Sequence, residues 1–333
     1  MRINATVTDQ TFSQSDLDAL VPKFVVYAVQ GLILTVLNSL IFFPIWAYRQ
    51  LRCKKELIIL SALAFTDIVN GVACLLAGVI RTILIYQDSA NRLVTRWQCF
   101  LTPWNISWVF WMHTYSITLF TVSFDRFLAL WFAGKYNSFG RKYAYILLAS
   151  THLPTLALSV GYLLVLSQKD EVPSRPAICH TSWVFDQDYY FYNNFINTTF
   201  ATFSVLIFVP VYFRYKNQTT AVAQGDALTQ RESKRQRQIT ETVILSSVFT
   251  FSFHVLPLLS HGVVRMLNSS NKFLSVLFSL TKVVQNLNSM MNFPLYLTRM
   301  RDFAKGVKLF MFCKPMTEQD VATSVMPMPY RGQ

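Results

Sequence analysis

The sequence predicts an all-α membrane protein: a seven-transmembrane helix bundle with a short amphipathic surface helix after span seven. Three observations carry this. Of the 333 residues, 53% are hydrophobic and only 14% charged, where soluble domains average about 25% charged. Seven segments of 23–26 residues are almost free of charge, and at about 1.5 Å per residue each crosses a bilayer core of roughly 30 Å. The basic residues sit in the short stretches between those segments, as membrane topology requires.

Residues 1–23 are polar, with Asp9, Asp16 and Asp18 and no apolar leader, and read as an extracellular N-terminus. The first span, 24–48, then directs insertion itself. Span two, 57–80, carries only Asp67. Span three, 100–124, opens after Cys99 and closes on Phe124-Asp125-Arg126-Phe127. Spans four (143–167) and five (189–213) are uncharged. Span six, 242–264, holds only the histidines 254 and 261, and span seven, 273–298, only Lys282. In residues 299–312, Phe303, Val307 and Phe310 recur at three-to-four spacing with bases opposite, an amphipathic helix lying on the membrane surface. Residues 313–333 read as a cytoplasmic tail. Cys313 heads it, either a palmitoylation candidate or a plain thiol.

Orientation follows from Lys and Arg. With the N-terminus outside, the inner segments hold nineteen of them and the outer segments nine, which places the loops after spans one, three and five in the cytoplasm of a multi-pass membrane protein. The net charge of +13 is spread as topology demands, so a nucleic-acid partner is not expected. No nucleophile elbow, phosphate loop or metal-binding helix motif appears, and no enzyme activity is expected.

Of five cysteines, only Cys99 and Cys179 fall outside, where an oxidising compartment favours a disulfide. It would tie the loop between spans four and five over the bundle. Asn4-Ala5-Thr6 is a glycosylation sequon on the outer terminus; those at Asn105, Asn197 and Asn217 read as chance. Asp67, with Asn38, Asn288 and Asn292 at similar depth, is either a buried polar network or a site for a proton or a sodium ion. Trp104, Trp108, Trp111 and Tyr115 share one face of span three, beside His113. That face either packs against neighbouring helices or, with Lys282, lines a ligand pocket. Arg81 lies at the same level, and snorkelling to the interface explains it as well. No acid falls in the outer half of a span, so the pocket suits an anionic or neutral small molecule or peptide.

In order, these residues resemble the rhodopsin-like G-protein-coupled receptors over about 24–313. Asn38 resembles the span-one Asn, and Leu63-Ala64-Phe65-Thr66-Asp67 the span-two motif. Phe124-Asp125-Arg126-Phe127 is similar to Asp-Arg-Tyr with Phe127 for Tyr. Phe251 and Pro257 match the span-six Phe and Pro. Asn292-Phe293-Pro294-Leu295-Tyr296 resembles Asn-Pro-x-x-Tyr with Pro294 moved by one, and Phe303 matches the surface helix. His254 stands where relatives carry Trp. Arg237 stands where many carry an acid that clamps the span-three Arg, so a weak resting lock is expected. Trp108 replaces the Asp of amine receptors, and Asn286 the retinal lysine of opsins, so neither an amine nor retinal is expected. Short termini and high Phe content resemble nematode serpentine chemoreceptors.

The resemblance implies a receptor that passes binding of an extracellular ligand to a heterotrimeric G protein, with arrestin as a second partner. Asp125, Arg126, Phe127, Phe251, Pro257, Asn292, Pro294 and Tyr296 would form its switch. The rival reading is a seven-helix ion channel or transporter using Asp67 and Lys282. Against it, the spans show neither internal repeats nor broken-helix signals.

Overall fold

The computed structural model describes residues 12–167, 172–181, 187–221, 227–260 and 272–317. The sequon at Asn4 and most of the tail lie outside them. Seven helices of 24 residues or more occur in the described chain: α1 (Gln14–Ala47), α3 (Lys55–Tyr86), α5 (Pro103–Trp131), α7 (Arg141–Ser167), α8 (Gln187–Ala221), α9 (Ala227–Thr250) and α10 (Lys272–Arg299). Short helices are α2 (Arg49–Arg52), α4 (Arg96–Phe100), α6 (Ala133–Ser138) and α11 (Arg301–Met311). Strands β1 (Leu93–Val94) and β2 (Arg175–Pro176) pair antiparallel. Among the described residues, five helices are apolar and long enough to cross a membrane. α5 has the length, 29 residues, but is dense in Trp, Tyr, Ser and Thr.

Several boundaries differ from those expected. α1 starts at Gln14, within the stretch read as a polar terminus, because Ser13 caps it: its Oγ accepts from the Asp16 N–H at 3.2 Å. Cys99 does not open span three. It lies in α4, which Thr95 and Gln98 close with a capping box, and α5 starts separately at Pro103. α8 and α9 extend well into the stretch read as an inner loop. In α9's continuation, Pro257 lacks the N–H its helix needs. The ladder loosens to a π turn over Phe251–Val255, and the Leu256 N–H donates to the Phe251 carbonyl.

The chain packs as two compact units. The first comprises Met1–Val36, Thr66–Ser116 and Thr151–Thr199. In it α1 and α3 touch backbone to backbone. A Cβ on Gly78 would lie 2.4 Å from the Phe24 carbonyl oxygen, and one on Gly31 2.3 Å from the Leu75 nitrogen. Glycine permits that approach, the small-residue crossing of membrane helices. Asn91 holds the chain at the start of α1: its Oδ1 accepts from the Phe12 N–H at 3.0 Å and its Nδ2 donates to the Phe12 carbonyl at 2.9 Å.

The second unit comprises Leu37–Phe65, Ile117–Ser150 and Phe200–Gln333. Its core gathers Ile41, Leu51, Ile58, Val122, Phe208 and Tyr296 with Phe303 and Val307 of α11. The apolar face of α11 was expected on the lipid surface. Phe303 and Val307 are instead buried in protein, while Met311 and Phe312 remain exposed. Gly306 lets α11 sit on Leu51, where a Cβ would stand 2.6 Å from Cδ1. The start of the tail is docked rather than free: the Tyr48 hydroxyl donates to the Lys314 carbonyl at 2.7 Å, and Gln50 Nε2 to that of Met316 at 2.8 Å. Cys313, just before them, is exposed.

Polarity runs inside out. Asn38, Asp67, Asn70 and Thr118 are fully buried, whereas Ile146, Leu153 and Leu164 on α7 are more than 60% exposed. A helix surface of this kind fits lipid, and buried polar side chains fit helix contacts within it.

Candidate functional sites

The first site closes the end of the first unit that carries the disulfide. Cys99 and Cys179 are joined, with S–S 2.01 Å and Cα atoms 5.1 Å apart. Cys179 has φ 46°, a left-handed turn that redirects its carbonyl. Arg81 takes that carbonyl at 2.6 Å through Nη2 and the Ile178 carbonyl at 2.9 Å through Nε. Its guanidinium is 5.6 Å from the ring centres of Phe24, Trp104 and Trp108. Arg81 is 1% exposed, so it does not snorkel to the interface, and its Nε and Nη2 are committed to the loop. Asn105, dismissed as a chance sequon, ties the same loop: Nδ2 donates to the Cys99 carbonyl at 2.8 Å and Oδ1 accepts from Thr181 at 3.1 Å. His180 packs on Phe24 at 6.0 Å. Burial, then the charges of Arg81 and Lys23, push its imidazole down to about 3.

Below that cap the aromatic face of α5 is buried: Trp104, Trp108, Trp111, His113 and Tyr115 are all under 9% exposed. His113 joins three helices. Nδ1 donates to the Val109 carbonyl at 2.7 Å, so Nε2 accepts from the Tyr189 hydroxyl at 2.9 Å, and Ser159 stands 3.3 Å from Nδ1. Tyr189 stacks on Tyr162 with centroids 3.4 Å apart. Lys282 falls within α10, and its side chain lies outside the described residues.

The second site is at the far end of α5, in the second unit. Arg126 is 2% exposed and Asp125 1%. Arg126 Nε donates to Asp125 Oδ2 at 3.0 Å, and Nη2 reaches the same oxygen. Nη2 also donates to the Tyr136 hydroxyl at 2.8 Å, and that hydroxyl donates to Asp125 Oδ1 at 3.1 Å. Burial, more than any charge, raises the Tyr136 phenol, so it stays a donor. A narrow crevice is lined by Arg126 with Glu56, Ile59, Leu60, Val122, Asp125 and Val243. Arg126 Nη1 is buried without a hydrogen-bond partner among the described residues.

Sequence reasoning missed Tyr136 and Glu56. Both are ordinary residues of an inner loop and a span edge, and only the fold brings them to Arg126. The Arg237 side chain, on which the expected weak resting lock rests, lies outside the described residues.

Around α10 the motif residues are partly brought together. Ser246 donates to Asn292 Oδ1 at 3.0 Å and Thr250 to Asn288 Oδ1 at 3.3 Å. Tyr296 is 3% exposed and meets Phe303 edge-on. Phe127 stacks on Trp131 at 4.9 Å. Phe251 is not gathered with them: it is 41% exposed on the outer face of the π turn, and His254, 3% exposed, points inward instead. Pro294 lies on an exposed face of α10. Asp67 is fully buried in the first unit, and Asn38 in the second.

A family model described as 7 transmembrane receptor (rhodopsin family) matches residues 37–296. No curated protein matches the chain.

Proposed function

Since the chain belongs to the rhodopsin family of seven-transmembrane receptors, we propose that it is a plasma-membrane receptor coupling an extracellular ligand to a heterotrimeric G protein, with arrestin as a second cytoplasmic partner. The observation that carries the coupling half is the buried Asp125–Arg126 pair closed by Tyr136, with Arg126 lining a narrow crevice and its Nη1 buried without a hydrogen-bond partner among the described residues. Breaking a buried ion pair outright is costly, so Arg126 leaves Asp125 only in exchange for another partner, which is what a two-state switch needs. The asymmetry of Lys and Arg supports an outer N-terminus and an inner tail.

The ligand enters from the disulfide side and meets the aromatic face of α5. With Arg81 committed to the loop, an anionic ligand rests on Lys282 alone, and a neutral small molecule or peptide fits the Trp-rich face better. The chemosensory reading stays with that choice. Asp67 and Asn70 are fully buried oxygen donors one turn apart, which suits a hard monovalent cation, and sodium is proposed there. The channel reading would need current carried through Asp67.

The experiment is nucleotide exchange on a panel of G proteins by wild type and Arg126→Ala at matched surface level, with membrane current recorded in the same cells. Exchange lost in the variant supports the receptor; current without exchange supports the channel.

A further inference from the structure

Lys55 is a lysine 8% exposed at the first residue of α3. Its Nζ donates to the carbonyls of Tyr136 and Phe139, the second at 3.0 Å, and it lies 3.7 Å from the centre of the Tyr136 ring. Those carbonyls belong to the end of α6, a helix of six residues whose N-cap, Phe132, makes no side-chain cap bond. So short a helix is unstable alone. A cation on its last carbonyls satisfies orphan acceptors and opposes their dipole. Lys55 therefore supplies from another helix a charged cap at the C-terminal end of α6, whose N-terminal end has no side-chain cap of its own.

What α6 presents is Tyr136, 1% exposed, whose hydroxyl bridges Arg126 and Asp125. Of the described side chains on α9, two are placed otherwise. Glu241 turns to Arg299 at 3.8 Å, and Val243 is apolar where it lines the Arg126 crevice. We propose that the resting restraint on Arg126 is imposed from the first turn of α3, with Lys55 as the positioning residue that seats Tyr136 on the Asp125–Arg126 pair. The signalling consequence rests on the receptor reading above; the seating does not.

Two readouts on the purified full chain separate the two. The first is amide exchange at Tyr136 and Phe139, whose N–H groups bond Phe132 and Tyr136 carbonyls at 2.8 and 3.0 Å. Lys55→Met should speed it about tenfold or more, since a charge-assisted bond is lost, and Lys55→Arg should restore it. The second is basal nucleotide exchange on a G protein that Arg126→Ala shows to be coupled. It should rise several-fold in Lys55→Met and in Tyr136→Phe, which removes one hydroxyl and leaves the fold intact. Unchanged amide exchange in Lys55→Met overturns the seating. Basal exchange at the wild-type level in both variants overturns the restraint. Silence of every variant on every G protein overturns the receptor reading, and amide exchange still decides the seating.

Discussion

Arg81 and Cys179 are joined by a hydrogen bond of 2.6 Å between a guanidinium 1% exposed and a carbonyl in a left-handed turn. The disulfide fixes Cys179 to α4, and Arg81 fixes it to α3, so the loop is held twice. Removing the side chain leaves the Ile178 and Cys179 carbonyls buried without their charged donor. Arg81→Met should therefore cost about 3 kcal/mol or more, two charge-assisted bonds at roughly 1.5–3 kcal/mol each. Thermal unfolding in detergent would measure it. Arg81→Lys should recover only part, because one ammonium cannot reproduce the two-pronged geometry. A melting temperature equal to wild type in Arg81→Met would show that the disulfide alone holds the loop.

His180 gives the same cap a pH dependence. Its folded value, about 3, lies below the ordinary 6.5, so between these the unfolded chain binds a proton that the folded chain refuses. Stability is then complete above pH 6.5 and falls as pH drops from 6.5 toward 3, by up to about 1.4 kcal/mol per unit. His180→Asn should flatten that part of the profile in scans at pH 7.5 and 5.0. An unchanged acid loss in the variant would move its origin to another group.

Gly78 and Gly161 should respond to alanine with opposite signs. A Cβ at Gly78 meets the backbone of α1 at 2.4 Å and 2.6 Å, whereas one at Gly161 meets nothing within 4 Å. Gly78→Ala should destabilise by about 1–3 kcal/mol or abolish surface expression, because overpacked backbones must part. Gly161→Ala should stabilise by roughly 0.5–1 kcal/mol, the helix preference of alanine over glycine. Paired melting curves test both.

Sodium at Asp67 predicts a salt-specific effect. Replacing potassium by sodium at constant ionic strength should raise the melting temperature of wild type, since a ligand bound only by the folded state stabilises it. Asp67→Asn should abolish the difference. Equal melting temperatures of wild type in both salts would remove sodium from the account.

Much of this arrangement could be read from the residues because it is written in composition. The Cys99–Cys179 bridge follows from two cysteines on one side of seven apolar segments; the spacing of Phe303 and Val307 gave α11 an apolar face, but not that protein rather than lipid covers it. What could not be read depends on backbone carbonyls, which no residue type marks. Arg81 could be explained as an interface charge and Lys55 as one more base of an inner loop, yet both bury donors on loop carbonyls. Asn105 did the same under the guise of a sequon. Pro257 signalled a distortion of its helix without saying that it would be a π turn, which carries Phe251 outward and leaves His254 inside.

The central claim is that Arg126 is the switch of a G-protein-coupled receptor. Nucleotide exchange by purified wild type, Tyr136→Phe and Arg126→Ala, reconstituted with each class of heterotrimeric G protein, tests it most directly. The account predicts exchange on at least one class, higher in Tyr136→Phe than in wild type and absent in Arg126→Ala. No exchange by any of the three on any class, with folded protein shown by its melting transition, would contradict it.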